Sequence, residues 1–211
     1  MEIQGKIDLY VINLEERKDR WEDIIKTYDE KYFNLFRINA IKDRKGWIGC
    51  LKSHLECVRI AKEKNLSNIM VIEDDCVPME NQELFVKRIF KIKKYLDSNT
   101  DWEIYLGGTV SAIPFSYGNK IVYEDEIFVE SNKAYATHMI CYNQKVYDFF
   151  LTSDKRFPID EGWHGKIKAL VSVPFLVKQK PGYSDIIKDN KSDEKRINEA
   201  NAIFINYIKN N

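Results

Sequence analysis

Three consecutive carboxylates, Glu73, Asp74 and Asp75, close the apolar run Asn68-Ile69-Met70-Val71-Ile72. A buried strand that delivers acidic groups at its C-terminal tip is how an α/β enzyme places a hard divalent cation at the edge of its sheet. Adjacent carboxylates repel one another, so a compact fold carries them only where a cation, backbone donors or solvent spreads the charge. In an extended chain Glu73 and Asp75 share a face and Asp74 opposes them. The expectation is therefore a metal seat on Glu73 and Asp75, with Asp75 the direct ligand, Asp74 a support, and Mn²⁺ or Mg²⁺ as the ion. An Asp-rich surface turn is the alternative.

The elements that must position these acids follow from periodicity. Ile7 to Leu14 is a nearly continuous apolar run, as an interior parallel strand requires. Asn13 and Glu16 have capping-box spacing, and Trp21, Ile24, Ile25 and Tyr28 then form one helical stripe. A strand over Phe33 to Ile38 follows. Trp47, Leu51, His54, Val58 and Ala61 mark a second helix leading through Asn65 to the acid-tipped strand, and Phe85, Ile89, Ile92 and Leu96 mark a third. Glu103 to Leu106 reads as a short strand stopped by Gly107-Gly108, where backbone can approach a ligand closely. Beyond it, Ile121 to Val129, Ala136 to Tyr142 and Val171 to Val177 read as strands, the last with Pro174 at an edge or bulge. Val146 to Leu151 reads as a short helix, and a last helix opens at Asp193-Glu194 with the stripe Ile197, Ala200, Phe204 and Tyr207. Alternating strands and helices in the first half predict a mostly parallel sheet.

Composition excludes several classes. Lys plus Arg and Asp plus Glu each number 33 in 211 residues, so no overall field favours nucleic acid or an anionic membrane. The opening residues lack a signal-peptide pattern, and no apolar run approaches the ~18 residues of a membrane span. These features predict a soluble cytoplasmic protein, and the Lys-rich and Asn-rich usage points to an A/T-rich bacterial or viral genome. Cys50, Cys57, Cys76 and Cys141 show no CxxC pair and no zinc spacing, and are expected reduced in apolar surroundings.

Three segments in fixed order, Val11 to Trp21 (VINLEERKDRW), Gly49 to His54 (GCLKSH) and Val71 to Asp75 (VIEDD), resemble glycosyltransferase family 25. That family contains lipopolysaccharide glycosyltransferases and collagen galactosyltransferases. Ala136-Thr137-His138-Met139-Ile140 and Pro158-Ile159-Asp160 resemble two later elements of the family, whereas Lys52 and the segment Asp160 to His164 depart from its pattern.

The resemblance implies a single GT-A domain over 1–211, with residues to about 110 binding a nucleotide sugar and residues from about 111 facing the acceptor. It implies an inverting, metal-dependent transfer of a hexose from a nucleotide sugar, UDP-hexose by expectation, to a glycan or protein-linked acceptor. Val11, Ile12, Asn13, Arg17 and Asp19 would then lie near base and ribose, and Lys52, Ser53, His54, Asp74, Gly107 and Gly108 near the rest of the donor. Solvation explains Arg17 and Lys52 equally, and His54 on an apolar stripe reads as a core histidine as readily as a donor contact. His164 is a third metal ligand or a loop histidine. An inverting transfer needs a general base near the acceptor hydroxyl, and Asp160 or Glu161 is the candidate. Two rival functions are a metal-dependent phosphohydrolase and a non-catalytic sugar-binding module of the same fold.

Overall fold

The computed structural model describes residues 5–113, 117–184 and 189–211. Its centre is an eight-stranded sheet built from β1 (Ile7–Asn13), β2 (Phe33–Asn39), β3 (Asn68–Glu73), β5 (Ile104–Leu106), β6 (Tyr117–Tyr123), β7 (Glu126–Ser131), β8 (Met139–Asn143) and β9 (Ala169–Val173), in the order β2-β1-β3-β8-β5-β9-β7-β6. β1 pairs parallel with β2 and β3, and β5 pairs parallel with β9, while β8 and β7 run against their neighbours. Six strands therefore share one direction, in keeping with the expected mostly parallel α/β sheet. Short pairs, β4 (Cys76–Pro78) with β10 (Val177–Gln179) and β11 (Gly182–Ser184) with β12 (Asp189–Lys191), lie outside it.

Alternation along β1 shows why the sheet is buried on both faces. Leu9 and Val11 join one core cluster and Tyr10 and Ile12 the other. The first cluster includes Ile24 of α1 (Lys18–Thr27) and Phe85, Ile89 and Ile92 of α3 (Gln82–Ser98). The second includes Val58 and Ala61 of α2 (Gly46–Glu63), Phe150 of α4 (Tyr147–Thr152) and Ile197 and Phe204 of α5 (Glu194–Asn210). Helices thus cover both faces, as a two-sided apolar sheet demands. α2 ends where Asn65 takes a positive φ of 52°.

Several expected elements are corrected. The capping box is not made: Arg17 stands at the N-cap and makes no side-chain capping bond, and the Asn13 amide instead donates to the Arg17 carbonyl at 3.1 Å. Ile25 is exposed, whereas Ile24 and the following Tyr28 are buried in the core and Trp21 packs half-buried against it. The run Ile121 to Val129 is two strands of a hairpin, folded at Glu124 with φ 53°. Val171 to Val177 breaks at Pro174, whose cis peptide separates β9 from β10. Arg88 and Glu126, both buried, join α3 to β7 across contacts of 3.0–3.2 Å, and Arg88 also donates to the Pro174 carbonyl at 2.9 Å.

Candidate active site

β1 connects to β2 on one side and the chain then returns through α2 to place β3 on the other, so the C-terminal ends of β1 and β3 flank a topological switch point. Such a crevice is where open α/β sheets bind ligands. A cleft of about 330 Å³ opens there, bounded by Ile12 and Leu14, the loop Ala40 to Asp43, the first turns of α2 and all three residues of the acidic turn. Ile12 and Glu73 are register partners across β1 and β3.

Gly49 and Ser53 make the α2 wall possible. A Cβ on Gly49 would lie 2.4 Å from the Ile41 carbonyl oxygen, so only glycine lets the 40–45 loop lie this close to the helix. The Ser53 hydroxyl fixes the same approach, accepting from the Ile41 N–H at 2.8 Å and donating to the Gly49 carbonyl at 2.8 Å.

The acidic turn departs from strand geometry, because β3 ends at Glu73 and Asp74-Asp75 form a turn. Strict alternation therefore fails. Glu73 reaches toward α2, where His54 Nε2 lies 3.3 Å from Oε1, and Thr137, just before β8, donates its Oγ1 hydroxyl to the same oxygen at 2.7 Å. Asp74 faces α1, accepting from Asn13 at 2.7 Å and from Arg20 at 2.6 Å. Asp75 accepts from Gln179 at 3.0 Å and sits 3.4 Å from the same Arg20 nitrogen, while its Oδ1 is buried with no hydrogen-bond partner. Burial pushes the Asp75 carboxyl well above its ordinary range, reinforced by the charges of Glu73 and Asp74. Burial also acts to raise Glu73, yet the bond and charge of His54 with the Thr137 hydroxyl outweigh it and hold Glu73 low. Asp74 and Asp75 face one guanidinium, Glu73 faces His54 and Thr137, and Asp75 keeps one oxygen orphaned, a set that could hold a hard divalent cation with Asp75 as a principal ligand.

A second cavity of about 190 Å³ adjoins the first and shares Cys50, Glu73 and Gln179 with it. Trp47, Thr137, His138 and Asp160 contribute to its walls. Asp160 Oδ2 accepts the Ala136 N–H at 3.2 Å. Ala136 has φ 108°, a left-handed conformation that disfavours any residue with a Cβ, and strain of this kind, about 1–3 kcal/mol, collects at functional sites. Burial raises the Asp160 carboxyl above its ordinary value against the lowering effect of that hydrogen bond.

Other expected residues lie elsewhere. Val11 is fully buried in the core cluster opposite Ile12 and cannot meet a ligand in the cleft. Asn13 is buried and spends its amide on Asp74 and the Arg17 carbonyl, and its oxygen on Arg37. Arg17 and Asp19 pair with each other at 2.9 Å on the surface, and Lys52 pairs with Asp43 at 2.8 Å, so none of these three lines the cleft. His54 borders the cleft but is fully buried, held between Glu73 and the Tyr142 hydroxyl, 3.0 Å from Nδ1. Gly107 and Gly108 serve internal packing: a Cβ on Gly108 would lie 2.6 Å from the Val177 carbonyl oxygen. His164 is correspondingly no metal ligand of the acidic turn, since Nε2 lies 2.9 Å from the Ala134 carbonyl and the ring packs against Tyr135 and Trp163. Glu161 is exposed and lines neither cavity.

Arg20 and Gln179 are the contributors that sequence reasoning missed. Arg20 lies within the quoted segment Val11 to Trp21, and a helical projection carries it toward the strand tips one turn after Arg17. Gln179 carried no signal, because β10 reaches Asp75 only after the chain turns at Pro174.

The family described as "Glycosyltransferase family 25 (LPS biosynthesis protein)" matches residues 44–158. Procollagen galactosyltransferase 2 of Homo sapiens and that of Mus musculus are each 27% identical over a match covering 49% of this chain and 21% of the relative. The chain thus spans about a fifth of the length of these curated relatives. Among solved structures, mannose-1-phosphate geranyltransferase from Thermus thermophilus is 9% identical and superposes with a TM-score of 0.43, covering 83% of this chain and 75% of that one. Among the described residues, no helix is long and apolar enough to cross a membrane.

Proposed function

The chain belongs to glycosyltransferase family 25, and from that premise we propose that it transfers a hexose from a nucleotide sugar, UDP-hexose as the first candidate, to a glycan or protein-linked hydroxyl with inversion. In this GT-A reading the nucleotide sugar occupies the larger cleft and the acceptor the smaller one, with Glu73 in the wall between them. The observation that carries the reading is the orphaned, buried Oδ1 of Asp75 at the mouth of the switch point.

Asp75 and Glu73 would hold Mn²⁺ or Mg²⁺, with Asp74 supporting the turn through Asn13 and Arg20, and the ion would neutralise the charge that develops on a diphosphate leaving group. Arg20 keeps Asp74 and Asp75 at a fixed spacing. Asp160 takes the proton of the acceptor hydroxyl as that oxygen attacks the anomeric carbon, and the bond from that carbon to the diphosphate oxygen breaks with its electron pair leaving on the nucleotide. A raised carboxyl is a better base than an ordinary one, and burial supplies that shift.

A thermal-shift screen of nucleotide sugars with and without Mn²⁺ tests the reading. A donor at ~100 times its dissociation constant stabilises by about 2.7 kcal/mol, and UDP-sugars should do so only with the ion present. No shift with any nucleotide sugar, with or without Mn²⁺, overturns it.

A further inference from the structure

We propose that Cys50, His54 and Glu73 form a binding site for a thiophilic divalent ion of the zinc class, separate from the hard-cation seat at the acidic turn although it borrows Glu73. Cys50 and His54 are four residues apart on α2, so both project from one side of the helix toward the tip of β3. One ligand atom from each of the three lies within 4.8 Å of the other two. Cys50 Sγ is 3.9 Å and His54 Nε2 3.3 Å from Glu73 Oε1. Tetrahedral zinc with its usual bond lengths of about 2.3 Å to sulfur and about 2.0–2.1 Å to nitrogen or oxygen places such pairs about 3.6 and about 3.3 Å apart. The two pairs that include Glu73 therefore need at most a few tenths of an ångström, and the Cys50–His54 pair, within 4.8 Å, closes by rotation of the Cys50 side chain.

Two further contacts suit a metal site. The Tyr142 hydroxyl lies 3.0 Å from His54 Nδ1, the ring nitrogen a metal on Nε2 would leave over, and Thr137 donates to Glu73 at 2.7 Å. Outer partners of this kind orient metal ligands. Cys50 lines both cavities, which leaves a fourth coordination position open to solvent. On binding, the Cys50 S–H bond breaks, its proton leaves to solvent and a sulfur–metal bond forms. A metal on Nε2 would displace any proton from that nitrogen to solvent and leave an Nδ1–H facing the Tyr142 oxygen. Thiolate and imidazole favour zinc over the oxygen-seeking Mn²⁺ and Mg²⁺, so the two classes of ion meet only at Glu73.

The test uses the full chain and no nucleotide, so its outcome is independent of the donor reading. Co²⁺ added to the wild type should produce the near-ultraviolet sulfur-to-cobalt charge-transfer band, and Zn²⁺ should abolish that band by displacement. Cys50→Ala, at a half-buried position, should lack the band and bind Zn²⁺ at least about 100-fold more weakly, the upper end of what loss of an outer partner costs. Cys50→Ser provides a second variant of near-native volume, and Asp75→Asn should keep the band. Co²⁺ binding to the wild type without the band, or wild-type Zn²⁺ affinity in both Cys50 variants, overturns the assignment, as does loss of the band in Asp75→Asn.

Discussion

Arg20→Ala exposes the charge balance of the acidic turn most clearly. Its guanidinium lies 2.6 Å from Asp74 and 3.4 Å from Asp75, with the Arg20 side chain 16% exposed and the two acids 10% and 13% exposed. At an effective dielectric of about 20, a unit pair about 4 Å apart is worth roughly 4 kcal/mol, and removing one partner of a buried pair commonly costs about 3–5 kcal/mol. Partial solvent access places Arg20→Ala at the lower end, about 3 kcal/mol in a metal-free urea titration. If the turn is the hard-cation seat, saturating Mn²⁺ supplies the missing positive charge, and the deficit relative to wild type should shrink to about 1 kcal/mol. Urea midpoints of both proteins with EDTA and with Mn²⁺ give the comparison. A deficit of the same size in both conditions would refute the reasoning, because the ion would then not be meeting the charges Arg20 compensates.

Other consequences are equally direct. Asp160→Asn should lower single-turnover transfer by about 10²- to 10⁴-fold while donor affinity holds. The folded state raises the Asp160 carboxyl, so it binds that proton more tightly than the unfolded chain, and wild-type stability falls as pH rises from the ordinary carboxylate value through the raised one. Asn escapes this loss, so melting temperatures of variant against wild type should shift in the variant's favour as pH rises from the ordinary carboxylate value of about 4; a constant difference would contradict the raised carboxyl. Glu126→Ala should cost about 3 kcal/mol by calorimetry, since it leaves the buried Arg88 guanidinium only Glu80 at 3.3 Å and the Pro174 carbonyl as partners. Gly108→Ala should destabilise by about 1–3 kcal/mol through its clash with the Val177 carbonyl, and chemical denaturation measures that loss.

Much of the scaffold was legible because periodicity reports burial. The stripes on α2 and α3 and the run of β1 pack as their spacing predicts, and the acid-tipped strand does end at the switch point. The site was read less well, for local reasons. Alternation assigned Glu73 and Asp75 to one face, but the chain leaves strand geometry at Asp74 and sends the acids toward three different partners. Arg17, Asp19 and Lys52 satisfy their charge with neighbours near in sequence, which residue type alone does not reveal. Gly107 and Gly108 were correctly read as points of close approach, yet what approaches is the protein's own β10. The Cys50–His54–Glu73 cluster escaped because its spacing, four residues on a helix plus a distant strand tip, matches no contiguous zinc pattern.

The central claim, that the turn at Glu73 to Asp75 holds a cation that binds a nucleotide, is tested most directly by calorimetric titration of UDP into wild type and Asp75→Asn, each with Mn²⁺ and with EDTA. Asn keeps the size of the side chain and an oxygen for Gln179, and removes a carboxylate whose ionisation burial opposes, so the variant should fold at least as stably as wild type without metal. The account predicts UDP binding to wild type only with Mn²⁺, and none to Asp75→Asn in either condition. Equal UDP affinity in the two proteins with Mn²⁺ would contradict it.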